Sequence, residues 1–247
     1  MRKRLLNLII SIFSIILIIF ISFQVFGEKE KPKEENAIIK EIPLPEPKMK
    51  GEVSIEEVLS KRRSIRSYTN ENLKLEEISQ ILWAAYGITE KKDKPDRLRG
   101  GFRTAPSAGA TYPLDIYLIA GEIESLAPGI YKYDSSSHSL LLMEEGDKRT
   151  QLFLTCLQPW VKSAPASIIY TAKWDRITSK YGDRGTERYV YLEVGHSAQN
   201  VYLQATALGL GTVAVGAFND KKLKDFLSLE EGEDPLYIMP LGKKKDE

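Results

Sequence analysis

Residues 187–211 carry the pattern that most constrains the fold, the run ERYVYLEVGHSAQNVYLQATALGLG. Its apolar side chains recur at spacings of three and four, which predicts one long helix: Tyr191, Val194, Ala198, Val201, Ala205 and Leu208. Val190, Leu192 and Tyr202 widen the apolar surface beyond a single stripe. A helix that is apolar on most sides is buried, either at the centre of the domain or against a partner subunit.

The other patterns predict alternating helices and strands around this helix. Ser54 and Glu57 form a possible capping box for a first helix, and Leu75–Tyr86 forms a second helix with Gly87 as its C-cap. Strands are predicted at 114–120, 129–134, 139–145, 166–172, 212–218 and 235–242, with helices near 147–157 and 220–228. Because the order lacks a strict βαβ alternation, the predicted class is α+β, a central mixed or antiparallel sheet flanked by helices.

The first 50 residues predict a membrane anchor and a linker. Residues 5–26 contain 22 residues without a charge, and a helix of that length spans roughly 33 Å, enough to cross a bilayer core. Residues 1–27 are therefore predicted as a signal anchor or transmembrane helix, although Val25 and Gly27 also allow cleavage and secretion. The basic residues before the run favour a domain outside the cytoplasm. Charged, proline-rich residues 28–50 are predicted as an extended linker, and 51–247 as the folded domain.

Several kinds of chemistry are excluded or disfavoured. The single Cys156 excludes an intrachain disulfide, and the two histidines lack a metal-ligand spacing, so no metal site is predicted. A net charge of +1 gives no overall attraction to nucleic acid. Gly209, Gly211 and Ala214 match a dinucleotide fingerprint, but a helix precedes the glycines and a strand follows them, which is the wrong order for a Rossmann fold.

Two short stretches are candidate ligand sites. KRRSIRSY at 61–68 places Arg62, Arg63, Ser64 and Arg66 together. This cluster is either a solvated helix end or a phosphate site, to which guanidinium groups donate charge-assisted hydrogen bonds. The loop APSAGATYP at 105–113 is rich in small residues, which allow the backbone to approach a flat ligand or simply form a turn.

Four segments in order resemble the nitroreductase family of flavoenzymes: KRRSIRSY, RTAPSAGATYPL, YVYLEVGHSAQNVYLQATALGLGTVAVGAF and MPLGKK. The segments KYGDRGTERY and GHSAQN are most similar to the SagB/ThcOx branch, which includes dehydrogenases that oxidise thiazolines and oxazolines in peptides. The resemblance implies a nitroreductase-like fold, an intertwined homodimer and bound FMN, with NAD(P)H as a possible electron donor.

The resemblance also implies roles for individual residues. The FMN phosphate and ribityl chain would contact Arg62, Arg63, Ser64 and Arg66, with Lys243 and Lys244 joining at the phosphate. The flavin ring would contact Pro106, Ser107, Ala108 and Gly109, commonly from the partner subunit, and the backbone of Val215, Gly216 and Ala217 near N5. Gly216 stands where some relatives carry a glutamate, so that side chain is absent here.

Lys180 and Tyr181 match a pair that azoline-oxidising relatives use for proton transfer. A lysine can act as the base if desolvation lowers its pKa. The alternative is an exposed lysine beside a packed tyrosine.

The predicted function is an FMN-dependent oxidoreductase that transfers two electrons as hydride through flavin N5 to or from a small-molecule or peptide substrate. Flavin performs the redox chemistry itself, so the chain needs no triad, metal or thiol. Two alternatives stay open: a peptide thiazoline or oxazoline dehydrogenase, and a non-catalytic flavin-binding module displayed at the membrane. Outside the cytoplasm, a dehydrogenase that passes electrons to oxygen or a quinone is favoured over a nicotinamide-dependent enzyme.

Overall fold

The computed structural model describes residues 38–92 and 99–245. In those ranges no helix is both long enough and apolar enough to cross a membrane. The predicted anchor at 1–27, and linker residues 28–37, lie outside the described residues.

The described helices and strands follow one another with short connections. The strands are β1 (Lys40–Pro43), β2 (Ile88–Lys91), β3 (Gly101–Arg103), β4 (Leu114–Ala120), β5 (Gly129–Asp134), β6 (Ser139–Glu145), β7 (Ala166–Lys173), β8 (Leu210–Thr212) and β9 (Glu233–Lys243). The α-helices are α1 (Ile55–Lys61), α2 (Leu75–Tyr86), α3 (Arg149–Cys156), α4 (Pro159–Ser163), α5 (Asp175–Tyr181), α6 (Val190–Ala207) and α7 (Asp220–Phe226). Seven of the strands form one sheet in the order β1-β6-β5-β4-β7-β9-β8, and β2 pairs with β3. Neighbouring strands of the seven-stranded sheet are antiparallel, which confirms the predicted α+β class.

The central sheet separates two hydrophobic clusters. Along β4, Ile116 and Leu118 belong to one cluster, whereas Tyr117 and Ile119 belong to the other, as expected when successive side chains point to opposite faces. Helices α2 and α6 cover the first face, and α3, α4 and α7 contribute to the second. The strand β7 is buried along almost its whole length, so it lies at the centre of the sheet.

Residues 38–50 correct the predicted linker. Strand β1 pairs with β6, and the side chain of Leu44 is only 7% exposed. The amide of Lys48 donates to Gln80 Oε1 at 2.8 Å, and Ser79 Oγ donates to the carbonyl of Pro45. The average composition of 28–50 is polar, but one buried leucine and strand pairing are enough to fix this part to the sheet. The folded unit therefore begins before residue 51.

Leu44→Ala should lower the free energy of unfolding by about 2–3 kcal/mol, because it removes a buried side chain and leaves a cavity. Ile39→Ala is the matched control, since Ile39 is 56% exposed and should change stability by less than about 0.5 kcal/mol. Chemical denaturation of the two variants measures the difference. Equal effects would mean that β1 does not contribute to the folded core.

Two other boundaries differ from the prediction. The long helix begins as a π-helical turn at 185–189 and continues as α6 to Ala207. The predicted strand at 212–218 ends at Thr212, followed only by an isolated bridge between Val215 and Ile238. The amide of Ala214 donates to Tyr202 Oη at 2.8 Å, so this amide does not pair with a neighbouring strand.

Candidate functional site

The segment carrying the arginines is attached to the β8–β9 edge of the sheet. The amide of Ile65 donates to the carbonyl of Thr212 at 2.9 Å, and Tyr68 forms an antiparallel β-bridge with Lys244. Glycine is required beneath it: a Cβ at Gly211 would lie 2.6 Å from the Ile65 side chain, and one at Gly242 would lie 2.8 Å from the Tyr68 ring. Larger residues at these two positions would push the segment away from the sheet.

The side chains of this segment do not all converge on one point. The guanidinium of Arg62 lies 5.3 Å from the centroid of the Tyr202 ring, and Ser64 Oγ is 3.2 Å from Tyr202 Oη. The guanidinium of Arg66 instead lies over the Trp160 ring, at 5.6 Å. Arg62 is half-buried, whereas Ser64 and Arg66 are exposed in the single chain.

Arg63 and Lys244 line the same small cavity, whose volume is about 210 Å³. Arg63 Nη1 donates to two carbonyls at the end of α1, at 2.8 and 3.0 Å, which leaves its other donors without a partner among the described residues. Lys243 differs from Lys244, because its Nζ pairs with Glu77 on α2. Of the two lysines that the resemblance places at a phosphate, Lys244 is therefore the better placed.

The side chain of Tyr202 connects the segment 214–217 with the arginine segment. That hydroxyl accepts from Ala214 N and contacts Ser64 Oγ, so one half-buried side chain joins the two candidate flavin-binding segments. Val215 is buried and exchanges two backbone hydrogen bonds with Ile238, while Gly216 and Ala217 are exposed. Tyr202 was predicted only as part of an apolar helix face, because periodicity does not identify the partner of a hydroxyl group.

Gly109 brings the small-residue loop against Lys180 and Tyr181. Lys180 Nζ donates to the Gly109 carbonyl at 3.1 Å, and a Cβ at Gly109 would lie 2.4 Å from both Lys180 Nζ and Tyr181 Oη. Gly109 also has a φ of +58°, which favours glycine. Lys180 is exposed, and the half-buried Tyr181 packs edge-on against Tyr189 with ring centroids 5.0 Å apart. The structure thus places the two predicted catalytic residues at the predicted flavin loop.

Within one chain, the loop 106–109 and the cavity at Arg63 do not share lining residues. The cavity at Arg63 is lined by residues of 61–65, 206–212 and 244, and no residue of the loop 106–109 is among them. In that loop Pro106 and Gly109 are exposed, and Ser107 and Ala108 are partly buried.

Glu193 is a buried acid behind the loop. It is 1% exposed on α6, and its Oε1 accepts from the hydroxyl of Tyr86. Burial raises its pKa to about 7, although the hydroxyls of Ser107 and Tyr86 and the charge of Arg103 lower it. Glu193 is not among the residues predicted from sequence, since a glutamate within an apolar helix gives no sign of its own burial.

The profile of the nitroreductase family matches residues 59–243, which is most of the chain. The chain belongs to the nitroreductase family. The match runs from α1 to the end of β9 and so includes every candidate site residue except Lys244.

Individual nitroreductase relatives agree with this assignment. A Methanocaldococcus jannaschii protein whose name places it among the nitroreductases is 46% identical over 194 residues, covering 78% of this chain and 92% of that protein. A crystal structure described as a nitroreductase from Ralstonia eutropha has a TM-score of 0.70 at 30% identity, covering 86% of this chain and 92% of the other. The trifolitoxin operon protein TfxC of Rhizobium leguminosarum is 27% identical over 192 residues, covering 74% of this chain and 54% of that protein.

The buried acid Glu193 should make the stability of the protein depend on pH. Because the pKa of Glu193 rises from 4.5 to about 7 on folding, the folded state binds a proton more tightly. Protonated Glu193 therefore stabilises the folded state, and this contribution is complete below pH 4.5. As the pH rises through 7, the free energy of unfolding should fall by about 3 kcal/mol. Unfolding free energies of wild type and Glu193→Gln, compared between pH 4.5 and 8, should show this loss in the wild type alone.

The exposed Glu187→Gln is the control for this comparison, and it should keep the wild-type pH profile. If Glu193→Gln also keeps that profile, Glu193 is ionised throughout the range and the burial argument is wrong.

Proposed function

We propose that the protein is an FMN-dependent oxidoreductase that transfers two electrons, as hydride, through flavin N5. Members of the nitroreductase family generally bind FMN and use NAD(P)H. The observation that carries the proposal is the pair Arg63 and Lys244, two cations on one cavity that have no carboxylate partner among the described residues. A phosphate group supplies the negative charge that these two side chains lack.

The residues of the chain fit this group. Arg63 and Lys244 would hold the phosphate. Arg62 and Ser64, which both contact Tyr202, would lie next to it. The exposed backbone at Gly216 and Ala217 leaves room for a flat ring, with no side chain beyond a methyl group at either residue. FMN, when bound, supplies the electron-accepting ring, while the chain supplies charge, orientation and proton transfer.

We also propose that the active species is a homodimer. The loop 106–109 and the arginine segment do not line one cavity in a single chain, and a second copy would bring them together. Large apolar side chains are exposed on α1 and α6: Ile55, Leu59, Tyr191 and Leu192, each between 52% and 54% exposed. Their burial against a second chain would stabilise the pair.

Leu192→Glu should weaken the dimer at least tenfold and release FMN, since a charge would be buried at the contact. Sedimentation equilibrium and the flavin content after gel filtration measure both effects. Leu154→Glu is the matched control, because Leu154 has a similar exposure of 55% but lies on α3. A dimer that tolerates Leu192→Glu would exclude α6 from the contact.

A second candidate function is the oxidation of thiazolines or oxazolines in peptides, as in the SagB/ThcOx branch. The hydrogen bond of Lys180 to the Gly109 carbonyl supports it, because a possible base then lies beside the loop that we propose contacts the flavin. The similarity to TfxC, a trifolitoxin operon protein, is a further reason to test peptides. Lys180 is exposed in the single chain, so a bound flavin or the second subunit would have to supply the desolvation that a lysine base needs.

The membrane assignment remains part of the proposal. Residues 5–26 would anchor the protein with its catalytic domain outside the cytoplasm, or would be cleaved to release it. In that location oxygen or a quinone is the expected electron acceptor.

The absorbance spectrum of the purified full-length protein tests the proposal. Bound FMN, identified after acid release, that is bleached by a reductant and recovers in air supports an oxidoreductase. Bound flavin that does not cycle indicates a non-catalytic flavin-binding module. A colourless protein that does not bind added FMN would exclude both.

A further inference from the structure

A second and larger cavity has a lining distinct from that of the cavity at Arg63. Its volume is about 640 Å³, within the range of roughly 300–1,000 Å³ that is usual for small-ligand sites. Strands β4 and β5, the end of α2 and the start of α5 contribute to its wall. Its charged lining residues are Arg99, Arg103, Asp115, Lys132, Asp134 and Arg176, and none of them lines the cavity at Arg63.

The charges of this cavity do not balance. Four cations face two carboxylates, which leaves a net charge of +2. Asp115 is already paired twice, with Lys132 at 2.7 Å and with Arg176 at 2.6 Å. Although burial would raise it, the charges of Lys132 and Arg176 hold the pKa of Asp115 at about 2. Asp115 is therefore ionised, and its charge is paired with those of Lys132 and Arg176.

Arg99 and Arg103 have no carboxylate within 4 Å among the described residues. Arg103 is held rigidly: its guanidinium lies 4.4 Å and 4.9 Å from the ring centroids of Tyr86 and Tyr112. Its Nη1 donates to Ser135 Oγ at 2.6 Å, while its buried Nε has no hydrogen-bond partner. Partial burial and the neighbouring charges of Arg176 and Arg103 lower the pKa of Arg99. Among the described residues, neither guanidinium therefore has a carboxylate in direct contact.

We infer that this cavity binds a small molecule through a carboxylate or phosphate group, with Arg99 and Arg103 as its principal partners. Guanidinium groups donate paired, charge-assisted hydrogen bonds to both kinds of oxyanion. Ser135 Oγ accepts from Arg103 and so keeps its own proton to donate to the same group. The site is separate from the flavin phosphate site and does not depend on the proposed redox chemistry.

Titration calorimetry of the full-length protein with inorganic phosphate, and separately with succinate, at constant ionic strength tests the inference. At least one anion should bind the wild type, and whichever binds more tightly identifies the group. Arg99→Ala should weaken that binding at least tenfold, and Arg103→Lys, which keeps the charge but loses the planar fork, should weaken it at least fivefold. Arg99 is exposed, so its variant should fold even if Arg103→Lys does not.

Two control variants keep the result specific. Lys222→Ala removes an exposed cation on α7 and should bind the anion like the wild type. Arg63→Ala removes a cation from the other cavity and should retain this site. The inference is overturned if neither anion binds, if Arg99→Ala binds like the wild type, or if Arg63→Ala alone abolishes binding.

Discussion

Replacing both Arg63 and Lys244 by alanine should weaken FMN binding by roughly 10²–10⁴-fold. Each charge-assisted hydrogen bond contributes about 1.5–3 kcal/mol, and the two side chains would supply the positive charge at the phosphate. Both lie at the surface of one cavity and neither is paired with a carboxylate among the described residues, so their loss leaves no carboxylate there without its ion pair. Quenching of FMN fluorescence on titration with the apoprotein measures the affinity.

Lys243→Ala is the matched control, because it removes a neighbouring lysine that pairs with Glu77 instead of lining the cavity. We expect it to change FMN affinity by less than about threefold while lowering stability, since it leaves the mostly buried Glu77 without its ion pair. If Lys243→Ala weakens FMN as much as the double variant does, the phosphate lies elsewhere than at the Arg63 cavity.

Lys180→Ala should lower turnover of a synthetic thiazoline peptide by roughly 10²–10⁴-fold, the usual contribution of a positioned general base. Oxidising the ring requires that a proton leave as hydride passes to the flavin, and Lys180 Nζ lies 3.1 Å from the carbonyl of Gly109 in the loop proposed to contact the flavin. Steady-state kinetics with FMN-saturated protein measure the effect, and flavin content should stay at the wild-type level.

Tyr181→Phe separates the two members of the pair, because it removes the hydroxyl but keeps the ring that packs against Tyr189. Arg184→Ala is the control on the same segment, since Arg184 is exposed. Unchanged turnover in Lys180→Ala would remove the proton-transfer role. A wild type that does not oxidise the peptide would instead exclude the azoline substrate.

Elements with a clear period were predicted well from sequence. The bounds of α2, β4, β5 and β6 agree with the prediction, and Ser54 caps α1 by accepting from the amide of Glu57 at 3.2 Å. These segments have either an amphipathic stripe or alternating apolar residues between turn-forming residues, so local sequence determines them. The short strands β1, β2 and β3 were missed because three or four residues are too few to show a period.

The candidate site was predictable only in part. The resemblance suggested the candidate residues, and three of them, Gly109, Lys180 and Tyr181, lie next to one another in the structure. The pairing of Lys243 with Glu77 joins residues 166 positions apart, and the burial of Glu193 depends on how α6 packs on α2. Such long-range pairings arise from tertiary packing, and no local pattern in one sequence specifies them.

The place of β9 in the sheet has a consequence for biosynthesis. This strand lies between β7 and β8, and the segment that carries Arg63 rests on the β8–β9 edge. During translation the ribosome therefore releases the first helices and most of the sheet before the strand that joins β7 to β8 exists. Until residue 243 has emerged, the nascent chain exposes the unpaired edge of β7. We expect chaperones that shield open strand edges to be important for the yield of this protein.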